Sequence, residues 1–299
     1  MPKKDNSYIF AAFCLISIAF ILWLISIDTT QFYPDKSDTI NKTSEAIQIK
    51  TTRELISIFN KSNYTLPHQN NDKIPDIFLP SIPKDFKNTK DVAKKKSVFI
   101  RLMIPLIIAE QKNIRQKRLI AQLILKDARQ LTHSDSKAWF ERAIKEYKIN
   151  SKLTFLQKKS ELIKRLDELP LTLILAQAAI ESAWGTSRFA IEGNSLFGQW
   201  TFSGKNGLTP KDRSEGKTHQ VKAFPSLQAS IRSYLKNINR NNAYKELRDQ
   251  REKMRINNEK LDAFILAEGL HRYSQKGTEY VKIVRRLLNT SEFKSLENI

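Results

Sequence analysis

Along most of this chain, apolar residues recur at intervals of three and four, the spacing of an amphipathic helix. Two stretches depart from that pattern by being apolar almost without interruption. The first is Tyr8 to Ile27, YIFAAFCLISIAFILWLISI, twenty residues with no charge. At ~1.5 Å per residue such a run spans the ~30 Å hydrocarbon core of a bilayer, so it predicts an N-terminal transmembrane helix. A cleavable signal peptide would have a shorter apolar region ending in a small-x-small site, and the only such triplet here, Ser17-Ile18-Ala19, lies in mid-run. Lys3 and Lys4 precede the run and, by the positive-inside tendency, hold the N-terminus in the cytoplasm and place the rest of the chain outside.

From Asp28 to about Ile74 the composition turns to Thr, Ser, Asn, Asp and Lys with no sustained apolar period, which reads as a mostly flexible tether. Pro75, Pro80 and Pro83 then mark an extended segment along a domain surface. Helical periodicity follows over residues 94–130, with Pro105 as a kink or break, and over 134–149 and 151–169. After Trp200, Gly and Pro punctuation and an alternating tail from His219 to Phe224 predict a short hairpin; helices resume over residues 226–240, 261–270 and 278–288. The organisation is therefore a cytoplasmic stub and anchor (1–27), a linker (28–74) and one mainly helical domain with a small β excursion (75–299).

The second apolar stretch raises a chemical question. Leu171 to Trp184 is apolar on nearly every side, so this helix is buried, yet Gln177 and Glu181 interrupt it at i, i+4 and share one face. Pro170 suits the first turn, and Gly185 suits the position just past the end, which places Glu181 in the last turn. Burial and the negative end of the helix dipole both disfavour its carboxylate. A carboxylic acid that stays protonated toward neutral pH is what a general acid for glycosidic cleavage requires. Trp184, Phe197 and Trp200 offer aromatic faces, and Asn194 and Gln199 offer amides, a mixture suited to a saccharide cleft, with Phe197 expected in the core.

Charge and cysteine narrow the classes. The formal charge of +20 attracts polyanions, and for an exported domain an acidic wall polymer or anionic lipid is available where nucleic acid is not. The one cysteine, Cys14, lies in the membrane run, so the exported part has no thiol for catalysis or zinc. His68, His133, His219 and His271 show no H-E-x-x-H spacing, and G-x-S-x-G is absent, which argues against zinc amidases and serine hydrolases. No cofactor is expected.

The segment AAIESAWGTSRFAIEGNSLFGQW, with E-S-x-W-G followed by N-x-L-F-G, resembles the glucosaminidase signature of glycoside hydrolase family 73, and within it the Bax-type proteins of Gram-negative bacteria. The resemblance spans roughly Ile74 to Leu288, with the catalytic part at about 165–290. It implies a lysozyme-like helical fold and cleavage of peptidoglycan strands, with Glu181 as general acid. It also implies a second acidic residue from the β excursion: Glu215, 34 positions on, with Asp212 next, Glu192 being too near. The family's site tyrosine precedes a helix, which matches Tyr273; Tyr280 is expected to pack that helix. A lytic transglycosylase needs the same single acid, and a wall-binding module without catalysis would use the same cleft.

Overall fold

The structure, a computed structural model, describes residues 49–66, 74–126, 134–201, 207–210 and 220–299, all within a compact unit, Ala46–Ile299. The predicted membrane segment lies outside the described residues, and among those described no helix is long and apolar enough to cross a membrane.

In chain order the helices are α1 (Thr52–Lys61), α2 (Val92–Lys126), α3 (Ser134–Glu146), α4 (Phe155–Arg165), α5 (Leu171–Glu181) and α6 (Arg188–Gly193). Three short strands follow, β1 (Trp200–Thr201), β2 (Gly207–Leu208) and β3 (Gln220–Lys222). The chain then continues through α7 (Leu227–Arg240), α8 (Lys245–Ile256), α9 (Ala263–Leu266), α10 (Thr278–Leu288) and α11 (Ser291–Lys294). The β excursion is a three-stranded antiparallel sheet with β3 in the middle, Trp200 opposite Val221 on one side and Leu208 opposite Val221 on the other. The predicted hairpin tail is thus the central strand.

At the centre, α2 and α5 pack against each other, with α7 on α2 and α10 on α5. Helix α2 runs 35 residues through Pro105 without a break. Residues 98–107 are all buried, so packing on every side compensates the one backbone hydrogen bond that proline removes. Helix α5 is buried from Thr172 to Ala179, as its sequence requires.

Part of the tether expectation is corrected. Within the segment read as flexible, Thr51 closes a capping box with Glu54, and α1 inserts Leu55 and Phe59 into the core, followed by Tyr64. Asp85 accepts from the backbone and hydroxyl of Thr52 and ties the start of α1 to the Pro-rich segment.

Helix α8, unforeseen from periodicity, is anchored by arginines. Arg251, fully buried, donates to the carbonyls of Lys164, Asp167 and Glu168 and to Asn239 Oδ1, so it covers the exposed carbonyl end of α4. Arg255 forks onto the carboxylate of Asp167 at 3.1 Å on both oxygens. Burial alone would raise the Asp167 pKa, but Arg251, Arg255 and Arg118 outweigh it and hold the group below its ordinary value. Burial lowers Arg251 to about 10, so it stays charged at neutral pH.

Candidate active site

Glu181 is the last residue of α5, where the helix emerges from the core. Its side chain is half-buried, and the exposed Gly198 stands beside it: a Cβ on Gly198 would lie 3.6 Å from Glu181 Oε2. Glycine therefore places no side chain against this oxygen of the carboxyl. Burial raises the Glu181 pKa above the usual carboxylate value, while a hydrogen bond from Tyr280 and the charge of Lys276 pull it part of the way back.

Behind the carboxyl lies a wall of tyrosines. Tyr280, on α10, reaches Glu181 and also accepts from Gln177 Nε2 at 3.0 Å. Gln177, one turn before Glu181 on α5, is fully buried, and its Oε1 accepts from Tyr234 of α7 at 2.5 Å. Phe197 stacks on Tyr234 at 4.0 Å between centroids, and Tyr273 stacks on Tyr280 at 5.3 Å. Burial pushes the hydroxyls of Tyr234, Tyr273 and Tyr280 up, so all three remain protonated.

Past Glu181 the chain reverses through three consecutive left-handed residues, Ala183, Trp184 and Gly185, with φ of 51°, 58° and 77°. Ser182 caps α5, and Gly185 comes three positions after it instead of directly at the helix end as its sequence position suggested. Buried Ser182 holds the reversal, its Oγ donating to the Ala178 carbonyl at 2.6 Å and accepting from the Gly185 amide at 2.8 Å. The ring of Trp184 fits edge-on between Phe99 of α2 and Phe293 of α11, with Lys96 Nζ 4.9 Å above it and paired to Glu292. These contacts overdetermine a turn that costs ~1–2 kcal/mol at each non-glycine residue.

The residues expected to bind sugar divide accordingly. Trp184 is engaged by these neighbours, and Phe197 is core. Asn194 ends α6 in the left-handed region and donates to the Phe224 carbonyl, and Gln199 donates to the Ser233 carbonyl. Trp200 is 58 % exposed on β1, two residues beyond Gly198, and is the most exposed member of the set. Tyr273 does not turn its hydroxyl to the acid; the hydroxyl donates to the Phe197 carbonyl at 2.9 Å, and Tyr280, expected only to pack, is the tyrosine that meets Glu181. Glu215 and Asp212 lie outside the described residues, and Glu192 is exposed on α6, paired with Arg188. Sequence reasoning missed Tyr234, Ser182 and Lys276; the i, i+4 pairing of Gln177 with Glu181 was the signal that a polar partner had to come from facing helices.

Residues 156–291 match the glucosaminidase family, described as mannosyl-glycoprotein endo-beta-N-acetylglucosaminidase. The chain is 29% identical over 201 residues to "Protein bax" of Escherichia coli (strain K12), a similarity that covers 67% of this chain and 70% of that protein. No solved structure matches significantly.

Proposed function

We propose that this chain, whose residues 156–291 match the glucosaminidase family, is an endo-β-N-acetylglucosaminidase of peptidoglycan with Glu181 as general acid. The observation that carries this reading is the carboxyl of Glu181 itself, whose proton affinity burial raises at the end of a buried helix, with Gly198 placing no side chain against it. A glycan strand lying across Gly198, with a sugar ring on Trp200, brings a glycosidic oxygen to that carboxyl. Proton transfer to the oxygen releases the leaving sugar as its hydroxyl, and Glu181 is left as a carboxylate.

The departing bond leaves positive charge on the anomeric carbon, which a second group must meet from the opposite face. Glu215 is our choice, with Asp212 next; either a water activated by that carboxylate or the acetamido group of the substrate then forms the new bond. With purified sacculi as substrate, Glu215→Gln should slow solubilisation ~10²- to 10⁴-fold while Asp212→Asn stays near normal. The reverse ranking would transfer the role to Asp212, and normal rates in both would leave substrate assistance.

Peptidoglycan as substrate agrees with the +20 charge and with an exported domain. The reading includes an inner-membrane anchor at Tyr8–Ile27, with the helical domain in the periplasm and no role for nucleic acid. Protease added to spheroplasts should digest the domain, and full protection would contradict that topology.

A further inference from the structure

Building on Glu181 as the acid, we infer that Gln177 is a positioning residue: its amide orients the Tyr280 hydroxyl to donate to Glu181, so the acid's own proton stands on the cleft side. The donors run in one direction from α7 to the acid. Tyr234 donates to Gln177 Oε1, which leaves Gln177 Nε2 to donate to the Tyr280 oxygen. A tyrosine hydroxyl has one hydrogen, so an oxygen that accepts from Gln177 directs its hydrogen elsewhere, and the polar group within its reach is the Glu181 carboxyl. Gln177 is suited to this because an amide presents an acceptor and a donor at fixed positions, and here both are committed inside a fully buried site.

The direction of this relay bears on the chemistry. A hydrogen bond donated by Tyr280 strengthens as Glu181 gives up its proton and becomes a carboxylate, so it stabilises the transition state more than the ground state. In the opposite arrangement Gln177 would accept from Tyr280, Tyr280 would accept from Glu181, and the catalytic proton would point into the protein. Among the described residues, the titratable groups around Glu181 are Tyr280 on α10, Tyr273 and Lys276 on the loop before it, Tyr234 on α7, and Tyr244 on the Asn242–Tyr244 turn. The tyrosines stay neutral through the working range, so among the described residues the charged neighbour is Lys276.

The test is the pH profile of Tyr280→Phe in the full-length protein acting on sacculi, with Gln177→Met as the second variant. Phe preserves the ring stacked on Tyr273 and removes the one donor. Loss of a donor to the carboxylate raises the Glu181 pKa, so the basic limb of kcat/KM should move to higher pH, and kcat should fall on the order of 10-fold, as for one hydrogen bond to a charged group. Gln177→Met should move the limb in the same direction. A limb that moves to lower pH would mean that Tyr280 accepts the proton; an unmoved limb would mean that it does not touch the acid. Either result overturns the inference. Should turnover be too low to measure, ¹³C-carboxyl titration of Glu181 in wild type and Tyr280→Phe reads the same shift directly. Glu181→Gln run alongside separates the two claims: if it is active, Glu181 is not the acid; if it is inactive while the limb is unmoved, only the relay fails.

Discussion

Glu181→Gln should abolish solubilisation of peptidoglycan, with a fall in kcat of about 10³-fold or more, and leave sedimentation with sacculi intact. The upper range of general acid catalysis sets the magnitude, and the substitution removes the transferable proton while keeping shape and hydrogen-bonding capacity. The same variant should be no less stable than wild type at neutral pH. Because burial raises the folded-state pKa of Glu181, the unfolded chain ionises first as pH rises through the ordinary glutamate range, and ionisation therefore favours unfolding. That penalty is absent below the unfolded pKa, grows up to the folded pKa, and does not apply to Gln. Wild-type and Glu181→Gln melting temperatures should thus converge in acid, with the variant equal or higher at pH 7. Retained turnover would remove Glu181 from the mechanism.

Gly185→Ala should be among the most damaging single-methyl changes in the domain. The position has φ of 77°, and the added Cβ would lie 2.8 Å from Phe99 Cδ2 and 2.9 Å from Ile82 Cδ1. A left-handed alanine costs ~1–2 kcal/mol and overpacking ~1–3, a sum of about 2–5 kcal/mol against a domain stability of ~5–15. The melting temperature should fall by roughly 5–15 °C. A change within about 2 °C would show that the turn relaxes without strain and does not depend on its seat. That seat is built from outside the matched glucosaminidase segment, since Ile82 and Phe99 precede residue 156 and Phe293 follows residue 291. Helices α2 and α11 therefore support the turn that follows Glu181, although the family match excludes all of α2 and reaches only the first residue of α11.

What could be read from the sequence follows which forces leave a pattern. Burial of α5 and the position of Glu181 at its end were legible because a helix apolar on every face can only be buried, and its two polar interruptions then mark where it meets partners or solvent. Helix α8 was not, because two of its four buried residues are Arg248 and Arg251, satisfied by carbonyls from other segments, which hydrophobic periodicity counts as solvent-facing. Helix α1 was hidden in the same way: ten residues with a few apolar anchors look like a polar tether until Asp85, 33 positions away, meets Thr52. Tyr273 and Tyr280 are seven residues apart, so spacing could not decide which hydroxyl faces the acid; the packing of α10 on α5 decides it. Trp184, Asn194 and Gln199 were chosen for chemistry that suits sugars, and the structure adds that the Trp184 ring and the amide nitrogens of Asn194 and Gln199 meet protein groups far along the chain, which spacing could not show.

Cleavage after N-acetylglucosamine leaves a chemical signature in the new chain end. Sacculi digested by the full-length protein are reduced with borohydride, hydrolysed, and their reduced sugars identified by mass spectrometry. N-acetylglucosaminitol-derived ends should accumulate with wild type and be absent with Glu181→Gln. Ends derived from N-acetylmuramic acid would show cleavage of the other glycosidic bond, and non-reducible anhydro-muramyl ends would show transglycosylation; either would contradict a glucosaminidase.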